Sequence, residues 1–564
     1  MKLRIWPYAT ALVLLSIIWT VYVMAEHYSY WRDTGVEMPG MVSSIRNGVL
    51  VVSALVVVVF GASLAWLHRS AAASGASGLS PAVQQKAQLA TASGFNGSPA
   101  MLSGTGADFV LEVRGVGIVT GDFTNREIWQ RIEAKANNHV TYLSQDPEDY
   151  PGNDDARLTN LQVATTTAFL FGAGHAIDRW PVPAIAWGPP KDKANADRAA
   201  MAIAGGRQDA GLGVTLFLWQ DDANTNDGTA MIDELFQFFD AHPDVPAALV
   251  YSEDGSLTRK FLGPPGSGGP PVMRHIIPAM PDSISALLVT RSDRVDRLIR
   301  PFAVEQSAGI NKTNTEYDII KLWNFYWSLN DDRGPDSFNA QFEKSEKDAG
   351  VTYPTSLGVM SSSWWQARLP ELWKTLSNQG PGQFTPTPYI PVRWTTWQLK
   401  QFDNAPLFGY LHRPVDVKLT DDHGRPLKTT QQTDALKAGW AEAVATLPGG
   451  QEPKRVFYDT TGARQWAIPL NQALVQMGST APNLDDVKEG YDIGARIGNT
   501  GVSSPLVQIG LGLIASYDDG GASATVNRRP NGTASIVMVS PPDASVKAAW
   551  SQKRNGADPF QLRP

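Results

Sequence analysis

Cysteine is absent from this chain of 564 residues, and its absence removes several kinds of chemistry at once. Without thiols there is no disulfide, no thiolate nucleophile and no zinc site built on cysteine. The chain also lacks the G-x-S-x-G turn of α/β hydrolases and the G-x-x-x-x-G-K-[ST] loop that cradles phosphates. These absences argue against the common enzyme classes, although a catalytic triad assembled from dispersed residues stays open.

Metal-binding signatures are equally scarce, since the chain contains no H-E-x-x-H motif. Four side chains have the spacing of a calcium-binding loop: Asp222, Asn224, Asn226 and Asp233. Asp227, however, stands where such a loop needs glycine for its sharp turn. We therefore predict a solvated loop followed by a helix N-cap here, with no metal site and no cofactor in the protein.

The chain has little basic character. It contains 48 Lys and Arg against 55 Asp and Glu, which gives a net charge of −7 and no basic footprint for nucleic acid. Hydrophobic residues make up 43% and charged residues 18%, a balance typical of a folded chain. We therefore expect no nucleic acid among the partners.

Two runs near the N-terminus contain no charged residue. Residues 5–25 and 48–67 are each about 20 residues long, enough to cross a ~30 Å hydrocarbon core as a helix. We predict two transmembrane helices there, and a cleaved signal peptide is the alternative for the first. Lys2, Arg4 and Arg69 flank the runs and favour the cytoplasmic side. The expectation is an inner-membrane protein whose body faces the cytoplasm.

The two predicted transmembrane helices occupy residues 1–67, and changes in composition divide the rest of the chain. Residues 68–107 are rich in Ala, Ser and Gly, which predicts a flexible tether. The body beyond it has about 450 residues, more than one core usually fills. We predict a first α/β lobe at residues 108–270, a middle segment at 271–392 and a second α/β lobe at 393–564.

Hydrophobic patterns predict similar elements in the two lobes. In the first lobe they predict strands at residues 109–120 and 212–219, and a helix with an apolar stripe at 231–239. In the second lobe they predict a late pair of strands at 506–516 and 534–539. Each lobe shows an extended strand, an amphipathic helix, a short strand and an apolar strand. We therefore suspect that the two lobes are related by duplication.

Two glycine pairs resemble part of a dinucleotide-binding loop. They are Gly115 with Gly117 and Gly172 with Gly174. Neither pair has the third glycine at the required spacing. We predict that these glycines allow close backbone packing instead.

Tryptophan is abundant, with 18 residues, and many lie in the middle segment. Core packing explains most of them, but tryptophan is also enriched at binding hot spots. Trp364 and Trp365 are adjacent, so they cannot both face the same way in a regular element. They follow irregular sequence, which tends to lie on the surface. We predict a partner-binding surface with four residues: Trp364, Trp365, Arg368 and Trp373.

Two stretches carry a resemblance to a known family. They are GVGIVTGDFTNREIWQRIEA at residues 115–134 and FLFGAGHAIDRWPVPAIAWGPP at residues 169–190. Together with the layout of spans, tether and cysteine-free body, they resemble the type VI lipase adapter family. The resemblance implies a non-enzymatic adapter. Such a protein would hold a phospholipase effector in the cytoplasm and pass it to the spike protein of a type VI secretion machine.

Two other functions stay open at this point. A membrane-tethered hydrolase with a dispersed triad would have a titratable nucleophile in a pocket. A structural inner-membrane component of a secretion apparatus would assemble with other membrane proteins. An adapter, by contrast, would form a complex with a toxin.

Overall fold

The structure is a computed structural model that describes Val23 and seven longer stretches of the chain. These are residues 109–135, 140–190, 198–220, 227–262, 272–306, 316–331 and 358–560. The chain divides into two units, Met1–Gly94 and Phe95–Pro564. All numbered helices and strands belong to the second unit.

We call the elements up to residue 373 the first half and the later ones the second half. The first half contains β1 (Leu111–Thr120), β2 (Phe123–Thr124), α1 (Asn125–Lys135), α2 (Asp154–Ala173), β3 (Pro181–Trp187), α3 (Arg198–Asp209), β4 (Leu216–Trp219), α4 (Ala230–Ala241), β5 (Ala247–Asp254), α5 (Ser256–Leu262), β6 (Ser283–Thr290), α6 (Asp318–Asp331), β7 (Val359–Ser361) and α7 (Ser362–Trp373). The second half contains α8 (Thr396–Asn404), β8 (Gly409–Leu411), β9 (Val415–Lys418), α9 (Thr429–Ala445), β10 (Pro453–Tyr458), α10 (Ala467–Met477), β11 (Gly490–Asp492), α11 (Ser504–Asp519), β12 (Ala522–Arg528), β13 (Thr533–Ser540) and α12 (Ala544–Lys553). Short helical turns such as Ser292–Arg294 and Ile493–Arg496 are not numbered.

Thirteen strands of the described part join in one sheet with the order β11-β10-β12-β13-β8-β1-β6-β5-β3-β4-β7, while β2 pairs with β1 and β9 with β13. The halves meet at the antiparallel pair β1–β8, where Leu111 lies opposite Leu411. On the first-half side of this pair come two antiparallel and then three parallel pairings, and on the other side two antiparallel and then two parallel ones. The orders β1-β6-β5-β3-β4 and β8-β13-β12-β10-β11 have the same sequence of pairings, and β7 extends the first-half edge by one strand. The duplication of the two lobes stays a prediction.

Strands from the predicted lobes and from the predicted middle segment lie side by side in this sheet. β6 and β7 belong to the predicted middle segment 271–392, yet they lie in the same sheet as β1 and β8. Because β6 pairs with both β1 and β5, the topology groups it with the first half. The boundaries at residues 270 and 392 stay predictions.

Three apolar cores lie against the two faces of the sheet, because side chains alternate along each strand. In β5, Ala248 and Val250 enter a middle core, whereas Leu249 and Tyr251 enter an outer core under α2 and α3. A second outer core lies under α9 and α10 of the second half. The middle core takes residues from both halves and holds α4 and α11.

Three of the four glycines, Gly115, Gly117 and Gly172, lie where α2 crosses the sheet at β1. A Cβ atom at Gly115 would lie 1.9 Å from the carbonyl oxygen of Gly172, and one at Gly117 would lie 2.0 Å from that of Ala168. Neither distance leaves room for a side chain. The prediction of close backbone packing is confirmed for Gly115, Gly117 and Gly172, whereas a Cβ atom at Gly174 would meet the carbonyl oxygen of Leu170 in its own helix.

The second half corrects one predicted element. Residues 506–516 form most of α11, so the prediction of a strand there is wrong. Every residue of α11 from Ser504 to Tyr517 is buried, because the helix lies in the middle core between both halves. A helix buried all round has no polar face, so its sequence shows no helical period. Since α11 follows β11 as α4 follows β4, these two helices occupy equivalent positions.

In the part of the chain that the structure describes, no helix combines the length and apolar character that a membrane crossing needs. Helix α2 has 20 residues, but Asp154, Asp155 and Arg157 lie among its first four. Helix α11 is apolar but has 16 residues, which span about 24 Å of the ~30 Å required.

The predicted fold class is corrected accordingly to a mixed α/β body. The prediction of transmembrane helices is wrong for this structure, and the inner-membrane location built on them is withdrawn. The two predicted spans, 5–25 and 48–67, lie outside the described residues apart from Val23, and so does the predicted tether at 68–107.

Candidate partner-binding surfaces

The predicted partner-binding residues all lie on α7, which begins directly after β7. This segment is helical, and Trp365 in its first turns is fully buried. The ring centroid of Trp365 lies 5.9 Å from those of Phe325 and Tyr326 on α6. Trp365 therefore belongs to the outer core of the first half.

Trp364 is only partly buried and has a different neighbour. The guanidinium carbon of Arg368 lies 4.9 Å from its ring centroid, within reach of a cation–π contact. Arg368 Nε also lies 2.7 Å from a carboxylate oxygen of Glu371. Trp373 comes nine residues after Trp364, which places it on the opposite side of the helix. The structure thus brings Trp364 and Arg368 together and separates them from Trp373.

The indole nitrogens of Trp364 and Trp373 share one property. Both are shielded from solvent and have no hydrogen-bond acceptor among the described residues. A shielded N–H without an acceptor loses the hydrogen bond that it made to water. These two N–H groups therefore stay unsatisfied within the part of the chain that the structure describes.

A groove on the first half is a second candidate surface. It has a volume of about 650 Å³ and lies between the β1–β2 turn, residues 143–151, the start of α2, helix α5 and residues 272–282. Its lining is mainly apolar and includes Phe123, Leu143, Leu257, Ile276, Ile277 and Pro278. A groove of this size and polarity is typical of a binding site.

Ion pairs at Asp154 hold the walls of the groove in place. The carboxylate of Asp154 lies 2.7 Å from Arg157 Nη1 and 2.7 Å from Lys260 Nζ, and it accepts the backbone N–H of Val272 at 2.9 Å. The hydrogen bond from Lys260, followed by that from Val272, lowers the pKa of Asp154 to about 2. Arg157 also donates to the carbonyl oxygen of Pro151 at 2.8 Å. Three elements of the wall are therefore linked through one carboxylate.

The remaining carboxylates of the groove have no such partner. Asp122, Asp149 and Asp282 line it and form no ion pair with any residue that the structure describes. Burial, together with the nearby carboxylates of Glu253 and Asp122, raises the pKa of Asp282 to about 7. The groove thus combines apolar walls with carboxylates that form no ion pair among the described residues.

Sequence reasoning missed this groove, although a signal was present. Residues 272–281 (VMRHIIPAMP) are mostly apolar but follow neither the helical nor the strand period. An apolar stretch without secondary structure leaves part of its surface exposed, and exposed apolar patches mark binding sites. The stretch follows a Gly- and Pro-rich breaker, so the pattern indicated a domain boundary rather than a surface.

A serine–histidine pair bears on the hydrolase alternative. His412 Nε2 lies 2.8 Å from Ser540 Oγ, as in the first two members of a catalytic triad. The two residues are only 1% and 2% exposed, so a substrate has no access to the serine. Burial also lowers the pKa of His412 to about 4, which makes it a weak base at neutral pH. The pair gives the hydrolase alternative no support.

Two acidic residues in the region with calcium-like spacing form ion pairs with an arginine. Asp222, Asn224 and Asn226 lie outside the described residues. Asp227 and Asp233 both bind the guanidinium of Arg529, with the contact to Asp227 at 2.8 Å. Among the described residues, no group of three or more His, Asp or Glu side chains is arranged to hold a metal ion.

Comparisons with known proteins identify the sequence family. The model described as type VI lipase adapter protein Tla3, N-terminal, matches residues 109–274. The corresponding C-terminal model matches residues 408–541, and the two together cover more than half of the chain.

Solved structures that align with the chain are ketosynthases and related enzymes. The ketosynthase from module 6 of the Bacillus subtilis 168 bacillaene synthase is 9% identical, with a TM-score of 0.37 over 77% of this chain and 70% of that chain. The ishigamide ketosynthase/chain length factor is 11% identical, with a TM-score of 0.36 over 77% and 100%. The Pseudomonas aeruginosa PAO1 enzyme FabH is 11% identical, with a TM-score of 0.31 over 77% and 99%. These scores support no inference about the activity of this chain.

Proposed function

The chain belongs to the type VI lipase adapter protein Tla3 family, and we propose that it presents a lipase effector to the spike protein of a type VI secretion machine. Family membership makes it an adapter for a type VI lipase effector. The main support for this proposal is that one family model matches the first half of the body and the other matches the second half. A match of this extent supports a role for the whole body rather than for one lobe.

In this proposal the lipase chemistry belongs to the effector, and the adapter turns over no substrate. The missing G-x-S-x-G turn supports this division of labour. The buried position of Ser540 and His412 supports it as well.

The outward face of α7 is part of the effector-binding surface in this proposal. Trp364 and Arg368 lie together on that face, with Trp373 at the last residue of the helix. Tryptophan and arginine are the residue types that dominate binding hot spots. Trp365 lies beneath them and supports the helix from the core.

A spike-capture experiment tests the proposal. Immobilised spike protein is incubated with the lipase effector, once with the full chain and once without it. We expect the effector to be retained only in the presence of the chain, because an adapter bridges two proteins that do not bind each other alone. Equal retention without the chain would contradict the proposal.

Phospholipid vesicles provide the control for catalysis. We expect the purified chain alone to release no fatty acid above the level of buffer. Release that Ser540→Ala abolishes, with the fold intact, would instead favour the hydrolase with a dispersed triad.

A further inference from the structure

We propose that the groove on the first half receives an apolar segment of the lipase effector that carries a lysine or arginine side chain. The inference rests on the proposed function, because the effector supplies the segment. The apolar side chains of the segment lie against the groove walls, and its cation lies beside Asp282. Neither the family matches nor the tryptophans of α7 point to this surface.

The groove leaves an unusual amount of apolar surface uncovered. Ile277 in its lining is 40% exposed, and Met273 in the same 272–282 stretch is 76% exposed. Contiguous exposed apolar surface marks an interaction site, because its hydration is unfavourable and a partner would remove it from water. The volume of about 650 Å³ lies within the range of about 300–1,000 Å³ that is typical of ligand pockets. Several apolar side chains of one segment therefore fit.

The groove is held open without a ligand. Asp154 and Arg157 fix residue 272 at one end of the exposed stretch. At the other end, the backbone N–H of Met280 donates to Ser256 Oγ at 3.0 Å, and the backbone N–H of Ser256 donates to the carbonyl oxygen of Met280 at 3.0 Å. A surface that is ordered in advance loses little conformational entropy on binding, so more of the contact energy appears as affinity.

The charges of the groove favour a cation. Its two basic side chains, Arg157 and Lys260, are both bound to Asp154. Glu253 on β5 and Asp122 on the β1–β2 turn lie near Asp282, and Asp149 and Tyr150 of the 143–151 segment also line the groove. The stretch 272–282 carries Arg274 and His275, and on the neighbouring elements Arg259 is paired with Asp254. The carboxylate of Glu253 accepts hydrogen bonds from the hydroxyls of Tyr251 and Thr258, which hold it near Asp282, where it raises the pKa of that residue. An ammonium or guanidinium group would relieve this repulsion.

The same charges argue against a phospholipid as the occupant. An anionic phosphate headgroup would lie against Asp122 and Asp282, which have no cation of their own among the described residues. Like charges at short range in a partly desolvated site are costly. A peptide segment with apolar side chains and one cation satisfies both features of the groove.

Proton release is a direct sign of this arrangement. In the free protein the carboxyl of Asp282 is partly protonated near pH 7, because burial and its acidic neighbours raise its pKa. A cation beside it favours the ionised form. Binding of the effector at pH 7 is therefore accompanied by release of a proton from Asp282.

Calorimetric titration of the full chain with the effector tests the groove. Ile277→Asn should weaken binding by about tenfold or more, because it places an amide where an apolar anchor is needed. Ile468→Asn is the matched control: Ile468 is 52% exposed on α10, and its replacement should leave the affinity within about twofold of the parent. Asp282→Asn should weaken binding and abolish the proton release, which is measured from the heats in two buffers of different ionisation enthalpy.

The outcomes separate this inference from the proposed function. A parent chain that does not bind the effector contradicts the proposed function itself. A second result is that the parent binds and the Ile277→Asn and Asp282→Asn variants bind equally well and release the same proton. That result overturns the groove assignment and leaves the proposed function standing. Binding of phosphatidylglycerol vesicles that Ile277→Asn abolishes would overturn the peptide assignment in favour of lipid. Thermal melts of each variant confirm that the fold is intact.

Discussion

Trp364 and Trp365 are neighbours in the sequence but have different environments on α7. Their adjacency predicts that the two rings diverge, and the structure confirms it, with Trp365 fully buried and Trp364 partly buried. The sequence does not tell which ring is buried. That choice depends on Phe325 and Tyr326 of α6, which are distant in the sequence and meet α7 only in the folded chain.

Replacement of each ring by alanine should separate stability from binding. Trp365→Ala leaves a cavity in the core and should lower the free energy of unfolding by about 3–5 kcal/mol. Trp364→Ala should cost less stability but weaken effector binding by about 30-fold, a loss of about 2 kcal/mol. Urea unfolding and titration of the full chain with the effector measure the two effects.

The opposite pattern would contradict this assignment. If Trp364→Ala binds the effector like the parent, the outward face of α7 is not part of the effector-binding surface. If Trp365→Ala unfolds like the parent, its ring does not support the outer core.

At the scale of elements, the sequence predicts those that bury only one face. The apolar stripe at residues 231–239 predicts a helix, and α4 has its buried residues at those positions. The strand predicted at 109–120 is β1. Helix α11 was predicted as a strand because it is buried on all sides and its sequence has no polar face to set a period.

The contact between α2 and β1 gives a sharp test at this scale. Gly117→Ala places a Cβ atom 2.0 Å from the backbone oxygen of Ala168, so helix and strand must separate. We expect a loss of about 3 kcal/mol or more in the free energy of unfolding, since the clash is with backbone. Urea unfolding of the full chain measures it.

Gly205→Ala on α3 is the matched control. A Cβ atom at Gly205 meets nothing within 4 Å. This substitution in a helix should therefore raise stability by about 0.4–1 kcal/mol. Equal unfolding midpoints for the two variants would contradict the close packing of α2 on β1.

At the scale of the whole molecule, local patterns suggest two related lobes but do not predict how they join. β1 and β8 pair across some 300 residues of sequence, and the middle core draws side chains from both halves. Such contacts depend on the complete fold. The groove was missed for the same reason, because its walls come from five separate stretches, three of which are linked through Asp154.

The central claim is that this body is an adapter that binds a lipase effector, and sedimentation velocity tests it most directly. The purified full chain and the effector are measured alone and mixed at about 10 µM each, a concentration that detects complexes of micromolar affinity or tighter. The account predicts a boundary in the mixture that sediments faster than either protein alone. A mixture that sediments as the sum of its two components would contradict it.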